Sequence, residues 1–253
     1  MTLDSAVVAA FVLVLARTSA WVVTAPIMAG KAIPSLAKLA VAISLSLFVV
    51  PQVHPASVPS EPILFAGVAV GQVLIGLALG WVTGLFFNAF EMAGSMIDAA
   101  SGFSIGAIFD PITGSQASIY ARFNQMLFMA LLFVTNAHLT LVAGFLRSFK
   151  ALPADKFPVL GISTPGALGT AVSQLMVSAL EIGAPILGAL FLTEVALAIA
   201  ARFAPQANIF SLGLPLKVMV SVLAMGTALV LIPPHLPGLL DSGMSLANDL
   251  FKH

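Results

Sequence analysis

Glu91 to Arg122 reads EMAGSMIDAASGFSIGAIFDPITGSQASIYAR, a polar, glycine-bearing stretch between two long apolar runs. Upstream, Ile63 to Phe90 carries no charge, and downstream Phe123 to Leu146 carries none. Each run is long enough to cross about 30 Å of hydrocarbon at roughly 1.5 Å per helical residue. Inside the stretch, Gly102, Gly106, Gly114 and the pair Asp110-Pro111 alternate with Phe103, Ile105, Ile108 and Phe109. Such a segment is expected neither to continue the flanking helices nor to sit in lipid, where each unpaired backbone group costs several kcal/mol. It has to be wet or wrapped in protein.

Composition sets the class. Of 253 residues, 60% are hydrophobic and 8% charged, at a mean hydropathy of +1.09. Soluble domains carry about a quarter charged residues, so the chain reads as an all-α membrane protein. A net charge of zero gives nucleic acid no footing, and the absence of cysteine excludes disulfides and thiolate metal sites. Asp4 stands where a secretory signal has a basic region, and no small-residue cleavage site follows, so the N-terminus is expected to be retained.

About six apolar helical segments follow in order. Ala6 to Ala25 ends at Pro26 and holds Arg17; Leu36 to Val50 is short and ends at Pro51; Pro51 to Pro62 is a proline-set link. In Ile63 to Phe90, Gly67, Gly71, Gly76, Gly80 and Gly84 recur every four or five residues, a small-residue stripe that lets another helix approach backbone to backbone. Phe123 to Leu146 leads to an exposed connection with Arg147, Lys150, Asp155 and Lys156. Ala167 to Ala201 is too long for one straight span and is expected to kink at Gly183 and Pro185. Arg202 to Ser211 is a turn, Leu212 to Ile232 the last run, and the tail from Pro237 an amphipathic segment for an interface or a partner. Positive residues balance across the loops and assign no sidedness.

Four ionisable residues fall within apolar runs: Arg17, Glu181, Glu194 and Lys217. Each costs about 2.5–3.5 kcal/mol at mid-membrane, so each is expected to be buried against protein with a partner, or to line an ion path. Glu181 and Glu194 are thirteen residues apart, nearly opposite on a regular helix. Gly102, Ser104 and Gly106 satisfy G-x-S-x-G, with Asp110 and His138 as conceivable partners, but no strand precedes the serine as a nucleophile elbow requires. His54, His235 and His253 make no ligand spacing, and no phosphate-binding glycine motif occurs. What the insert can do physically is block. Apolar tips on a glycine-hinged segment can fill a narrow lumen and exclude water.

Four strings carry a resemblance: LARTSAWVVTAPIMAGKAIPSLAKLAVAISLSLFVVP (Leu15 to Pro51), GFSIGAIFDPITGSQAS (Gly102 to Ser118), NAHLTLVAGFLRSFKALP (Asn136 to Pro153) and ARFAPQANIFSLGLPLK (Ala201 to Lys217). They resemble the FliR family of flagellar type III secretion export-gate proteins, whose injectisome homologue is SctT. The resemblance implies a non-enzymatic subunit without cofactor in the bacterial inner membrane, at the flagellar basal body. It implies assembly with FliP-like and FliQ-like subunits and with FlhB, around a pore for unfolded flagellar proteins. It also implies bent helical hairpins, a FliP-like part (1–166) followed by a FliQ-like hairpin and tail (167–253), and a plug loop at 102–116. Gly102, Phe103, Ile105, Gly106, Ile108, Phe109, Asp110, Pro111 and Gly114 would form the plug. Glu194 stands where the family has an acidic residue, whereas Glu181 departs from its pattern. Two rivals are a proton-coupled or small-solute transporter using Glu181 or Glu194, and a membrane serine hydrolase using Ser104.

Overall fold

The computed structural model describes residues 5–30, 33–103, 118–155, 165–204 and 209–231. Among these there are helices and turns and no strand. The helices are α1 (Ser5–Thr24), a one-turn α2 (Pro26–Ala29), α3 (Ser35–Val49), α4 (Pro62–Ser101), α5 (Ile119–Val134), α6 (Ala137–Ala151), α7 (Pro165–Phe203) and α8 (Ile209–Leu231). Four segments are long and apolar enough to cross a bilayer: Ser5–Thr24, Ser35–Gln52, Pro62–Ser101 and Val172–Phe203. The broken pair α5 and α6 makes a fifth if it counts as one span, and Ser211–Thr227 is a shorter apolar helix. The chain is an all-α membrane protein.

Punctuation follows the local chemistry. Ala25, forced out of the helical region by Pro26, is extended at φ −64°, ψ 122° and stops α1. Two 3₁₀ turns, Val50–Gln52 and Pro55–Ser57, carry the proline link. The apolar run from Phe123 to Leu146 is broken after Thr135, because Asn136 takes a left-handed conformation (φ 56°, ψ 17°), which asparagine tolerates better than most residues. At the other end of the insert the expectation fails more instructively. Helix α4 does not stop near Phe90 but continues through Glu91 to Ser101, 40 residues in all. Glu91 to Ser101 holds no proline, its one glycine, Gly94, keeps helical geometry, and the first residue to adopt another conformation is Gly102. The helical assignment of α7 likewise runs through Pro185 without a break.

The chain forms two compact units, one drawing on Met1–Phe86 and Asn136–Ala171, the other on Phe87–Thr135 and Val172–Pro237. In the first, Val14, Trp21 and Val22 of α1 pack with Ala42 and Val49 of α3, Ile75, Leu79 and Val82 of α4, and Phe145 and Phe149 of α6. Trp21 stacks on Phe145 with centroids 4.4 Å apart. In the second, Ile97 of α4, Tyr120 of α5, Ile186 and Leu190 of α7 and Met225 of α8 form the core.

Close approach is made possible by glycine. A Cβ on Gly76 would overlap the carbonyl oxygen of Arg17, and one on Gly80 the hydroxyl of Thr24, so α1 lies directly on this part of α4. Gly84 faces Pro26 at 3.6 Å, Gly71 is buried and Gly67 half-buried. In the second unit Gly94, which the periodic stripe did not include, does the same for α5, where a Cβ would sit 2.5 Å from the backbone of Ala121. Gly76→Val should therefore destabilise the detergent-solubilised chain by about 1–3 kcal/mol. Gly188→Ala, whose Cβ meets nothing within 4 Å, should change it by less than about 0.5 kcal/mol. Equal melting temperatures for the two variants would contradict the contact.

Candidate functional site: the foot of the central insert

Helix α4 ends where Gly102 adopts φ 88°, a left-handed conformation open to glycine without a Cβ penalty, and its N–H donates to the Asp98 carbonyl at 3.2 Å. The chain returns at Ser118, which caps α5 by accepting a hydrogen bond from Ala121 N–H at 3.0 Å. Between exit and return stands Tyr120, buried to 6% exposure. Its ring meets Phe103 edge-on at 5.6 Å, its hydroxyl shares a 2.5 Å hydrogen bond with Ser221 Oγ on α8, and its N–H points at Asp98 Oδ1, a long contact of 3.5 Å. Asp98 is itself buried, its carboxylate beside the positive N-terminal end of α5, where a negative charge is favoured. Asn124 donates to the Phe90 carbonyl at 3.2 Å, and Phe128 packs between Phe87 and Phe90 at 4.6 and 4.2 Å, fastening α5 along α4. Both ends of the insert are thus fixed to the same packed unit.

Of the expected plug residues, Gly102 terminates α4 and Phe103 is half-buried against the second core. Phe103 is therefore part of the foot. Ile105, Gly106, Ile108, Phe109, Asp110, Pro111 and Gly114 lie outside the described residues.

The sequence profile described as "Bacterial export proteins, family 1" matches residues 8–243. The chain is 33% identical over 215 residues to "Flagellar biosynthetic protein FliR" of Bacillus subtilis (strain 168), covering 84% of this chain and 83% of that one. It is 30% identical over 238 residues to the protein of the same name from Escherichia coli (strain K12), covering 94% and 91%. The chain belongs to the FliR family of bacterial export proteins. Similarity extends to "Yop proteins translocation protein T" of Yersinia pestis, at 28% identity over 210 residues, 82% of this chain and 80% of that one.

The charged residues of this FliR-family chain are placed unequally. Arg17 is fully buried. Its Nε donates to Gln72 Oε1 at 2.7 Å, Nη1 to the carbonyl and hydroxyl of Ser148 at 3.3 and 3.4 Å, and Nη2 to the Leu152 carbonyl at 2.8 Å. The guanidinium lies 4.3 Å over the Phe149 ring, and Gln72 donates onward to the Ala154 carbonyl at 3.2 Å. No carboxylate takes part in these contacts. The cation is held at the C-terminal end of α6, the negative end of the helix dipole, where the Ser148 carbonyl also accepts from the Leu152 N–H at 2.9 Å. On the other unit, Lys217 of α8 pairs with Glu194 of α7 at 2.9 Å, and this contact closes α7 and α8 into a hairpin. Glu194 is 66% exposed on the isolated chain, and Glu181 is exposed too, so neither is a buried acid there. Glu181 lies on the side of α7 opposite Ala179, Ile186 and Leu190, whereas Glu194 is turned toward Lys217 of α8. Ser104 and Asp110 lie outside the described residues, and His138 is half-buried in the first turn of α6.

Sequence reasoning passed over Asp98, Tyr120 and Gln72. Signals were present for two of them: Tyr120 is the chain's one tyrosine, and Gln72 is a polar residue in an otherwise apolar run. Tyr120→Phe should cost about 0.5–1.5 kcal/mol by removing one hydrogen bond, since the Ser221 hydroxyl keeps its bond to the Val218 carbonyl, and Tyr120→Ala about 3–5 kcal/mol by opening a cavity. Thermal unfolding in detergent reads both, and a Tyr120→Ala chain as stable as the parent would remove Tyr120 from the centre of this foot.

Proposed function

We propose that the chain is a non-enzymatic subunit of the export gate of a flagellar type III secretion system, in the bacterial inner membrane at the basal body. Its partners in this reading are FliP-like and FliQ-like subunits and FlhB, and its cargo is unfolded flagellar protein. Residues 1–166 form the FliP-like part, and 167–253 the FliQ-like hairpin and tail, a division supported by the Glu194–Lys217 closure of α7 on α8. Residues 102–116 act as the plug. Ile105, Ile108 and Phe109 are its apolar tips, Phe103 its anchor, and Gly106, Gly114 and the Asp110-Pro111 pair its joints.

The observation that carries this reading is family membership over residues 8–243, with the relatives named for flagellar biosynthesis covering most of both chains. The geometry supports it by fixing both feet of the insert while leaving a run with many glycine and apolar residues between them. A segment so tethered can enter and leave a lumen without loosening the subunit. A transporter that used Glu194 as its proton carrier would first have to break the pair with Lys217.

Deletion of Ile105 to Thr113 leaves Gly102, Phe103 and Ser118 in place. The assembled complex carrying it should conduct ions at rest at least tenfold above the parent complex in planar bilayers or in a whole-cell leak assay. Unchanged conductance, with the complex still assembled, would overturn the plug reading.

A further inference from the structure

The turn that follows α6 is held by three other parts of the first unit. Arg17 of α1 donates to the Leu152 carbonyl at 2.8 Å, Gln72 of α4 donates to the Ala154 carbonyl at 3.2 Å, and Ser57 of the proline link donates to Asp155 Oδ2. Arg17 and Gln72 are fully buried. These ties fix the wall of a cavity of about 390 Å³, the size of a small-ligand pocket. Its lining is apolar at Val49, Val53 and Phe149 and polar at Gln52, His54, Lys150 and Asp155.

An acid and a base share this cavity without meeting. Lys150 and Asp155 stand further apart than an ion pair, and neither the Lys150 nor the His54 side chain has an ion-pair or hydrogen-bond partner among the described residues. Asp155 has its Ser57 contact on one oxygen, and the other oxygen accepts nothing among those residues. A preformed pocket with a cation on one part of its wall, an anion on another and neutral hydrogen-bonding groups beside them matches a zwitterion. The position matches an amphiphile. The cavity stands at the end of the membrane-length segment Ser35–Gln52, and Phe48, 63% exposed, lies one helical turn before Gln52. Hydrocarbon surface thus runs up to a polar mouth.

We propose that this cavity seats the head group of a membrane phospholipid that carries both a phosphate and a primary ammonium, as phosphatidylethanolamine does. Lys150, with His54 and Gln52, takes the phosphate, Asp155 takes the ammonium, and an acyl chain runs along α3 past Phe48. A head group that is only anionic would set its charge beside Asp155 and leave that carboxylate unanswered. A choline head group fits worse. Its trimethylammonium donates no hydrogen bond and is held by aromatic faces, and the one ring in the lining, Phe149, already carries the Arg17 guanidinium at 4.3 Å. The charge-assisted contacts form against a wall that Arg17, Gln72 and Ser57 have already fixed, so little ordering is lost on binding. The inference rests on the membrane fold and is independent of the plug.

The test uses the purified full chain in detergent, with lipid binding read by native mass spectrometry. Phosphatidylethanolamine should bind at least tenfold more tightly than phosphatidylglycerol or phosphatidylcholine with the same acyl chains. Asp155→Asn, which keeps an oxygen for Ser57, should remove the preference over phosphatidylglycerol. Lys150→Ala should weaken phosphatidylethanolamine at least fivefold, and Lys150→Arg should bind it as the parent does. Free glycerophosphoethanolamine, which lacks acyl chains, should bind at least tenfold more weakly than the lipid. In native membranes a photo-crosslinking amino acid at Phe48 should join phospholipid. The proposal is overturned if the three lipids bind alike, if phosphatidylglycerol binds most tightly, or if Asp155→Asn and Lys150→Ala leave the preference unchanged. It is overturned equally if the soluble head group binds as well as the lipid, or if the adduct at Phe48 is a protein.

Discussion

The insert can act only against a fixed support, and that support converges on Tyr120. One residue meets Phe103 with its ring, Asp98 of α4 with its backbone N–H and Ser221 of α8 with its hydroxyl. Gly102 supplies the sharp exit that lets Phe103 turn back onto this tyrosine, and Ser118 supplies the capped return. Hydrogen bonds of this kind are each modest in net energy, but leaving their buried groups unmet is costly, so the arrangement persists as a set.

The first unit obeys a related constraint with different chemistry. A buried arginine normally asks for a carboxylate, and Arg17 instead is satisfied by neutral acceptors: a glutamine amide, a serine hydroxyl and the carbonyls of Ser148 and Leu152 at the end of α6. Gly76 and Gly80 make the arrangement sterically possible, because α1 must lie close to α4 for Arg17 to reach Gln72. The small-residue stripe and the buried cation are two views of one contact.

The class and the number of apolar segments were legible because charge depletion and run length are strong signals in a bilayer. The start of the insert was not, because its first eleven residues lack length-scale hydrophobicity, yet their one glycine, Gly94, serves the close contact with α5 and leaves the helix intact as far as Gly102. Polarity was mistaken for irregularity. Arg17 was recognisable as needing protein, but its partners sit 55 to 135 residues away in sequence and are neutral, so no charge pattern could name them. The exposure of Glu181 and Glu194 has the same origin: a sequence shows that an acid requires cover, and one chain of an assembly does not contain all of its cover.

Anchored ends, an apolar and glycine-bearing sequence between them, and membership in an export family are what support the proposal that residues 105–114 occupy a conduit at rest and leave it during transport. The chain has no cysteine, so Phe109→Cys creates a single reporter. The decisive measurement is the rate at which a membrane-impermeant maleimide reacts with that thiol in the assembled complex. At rest the rate should be at least tenfold slower than in the isolated chain, and it should rise when an export substrate is held in the channel. Equal rates in the resting complex and the isolated chain would contradict the account.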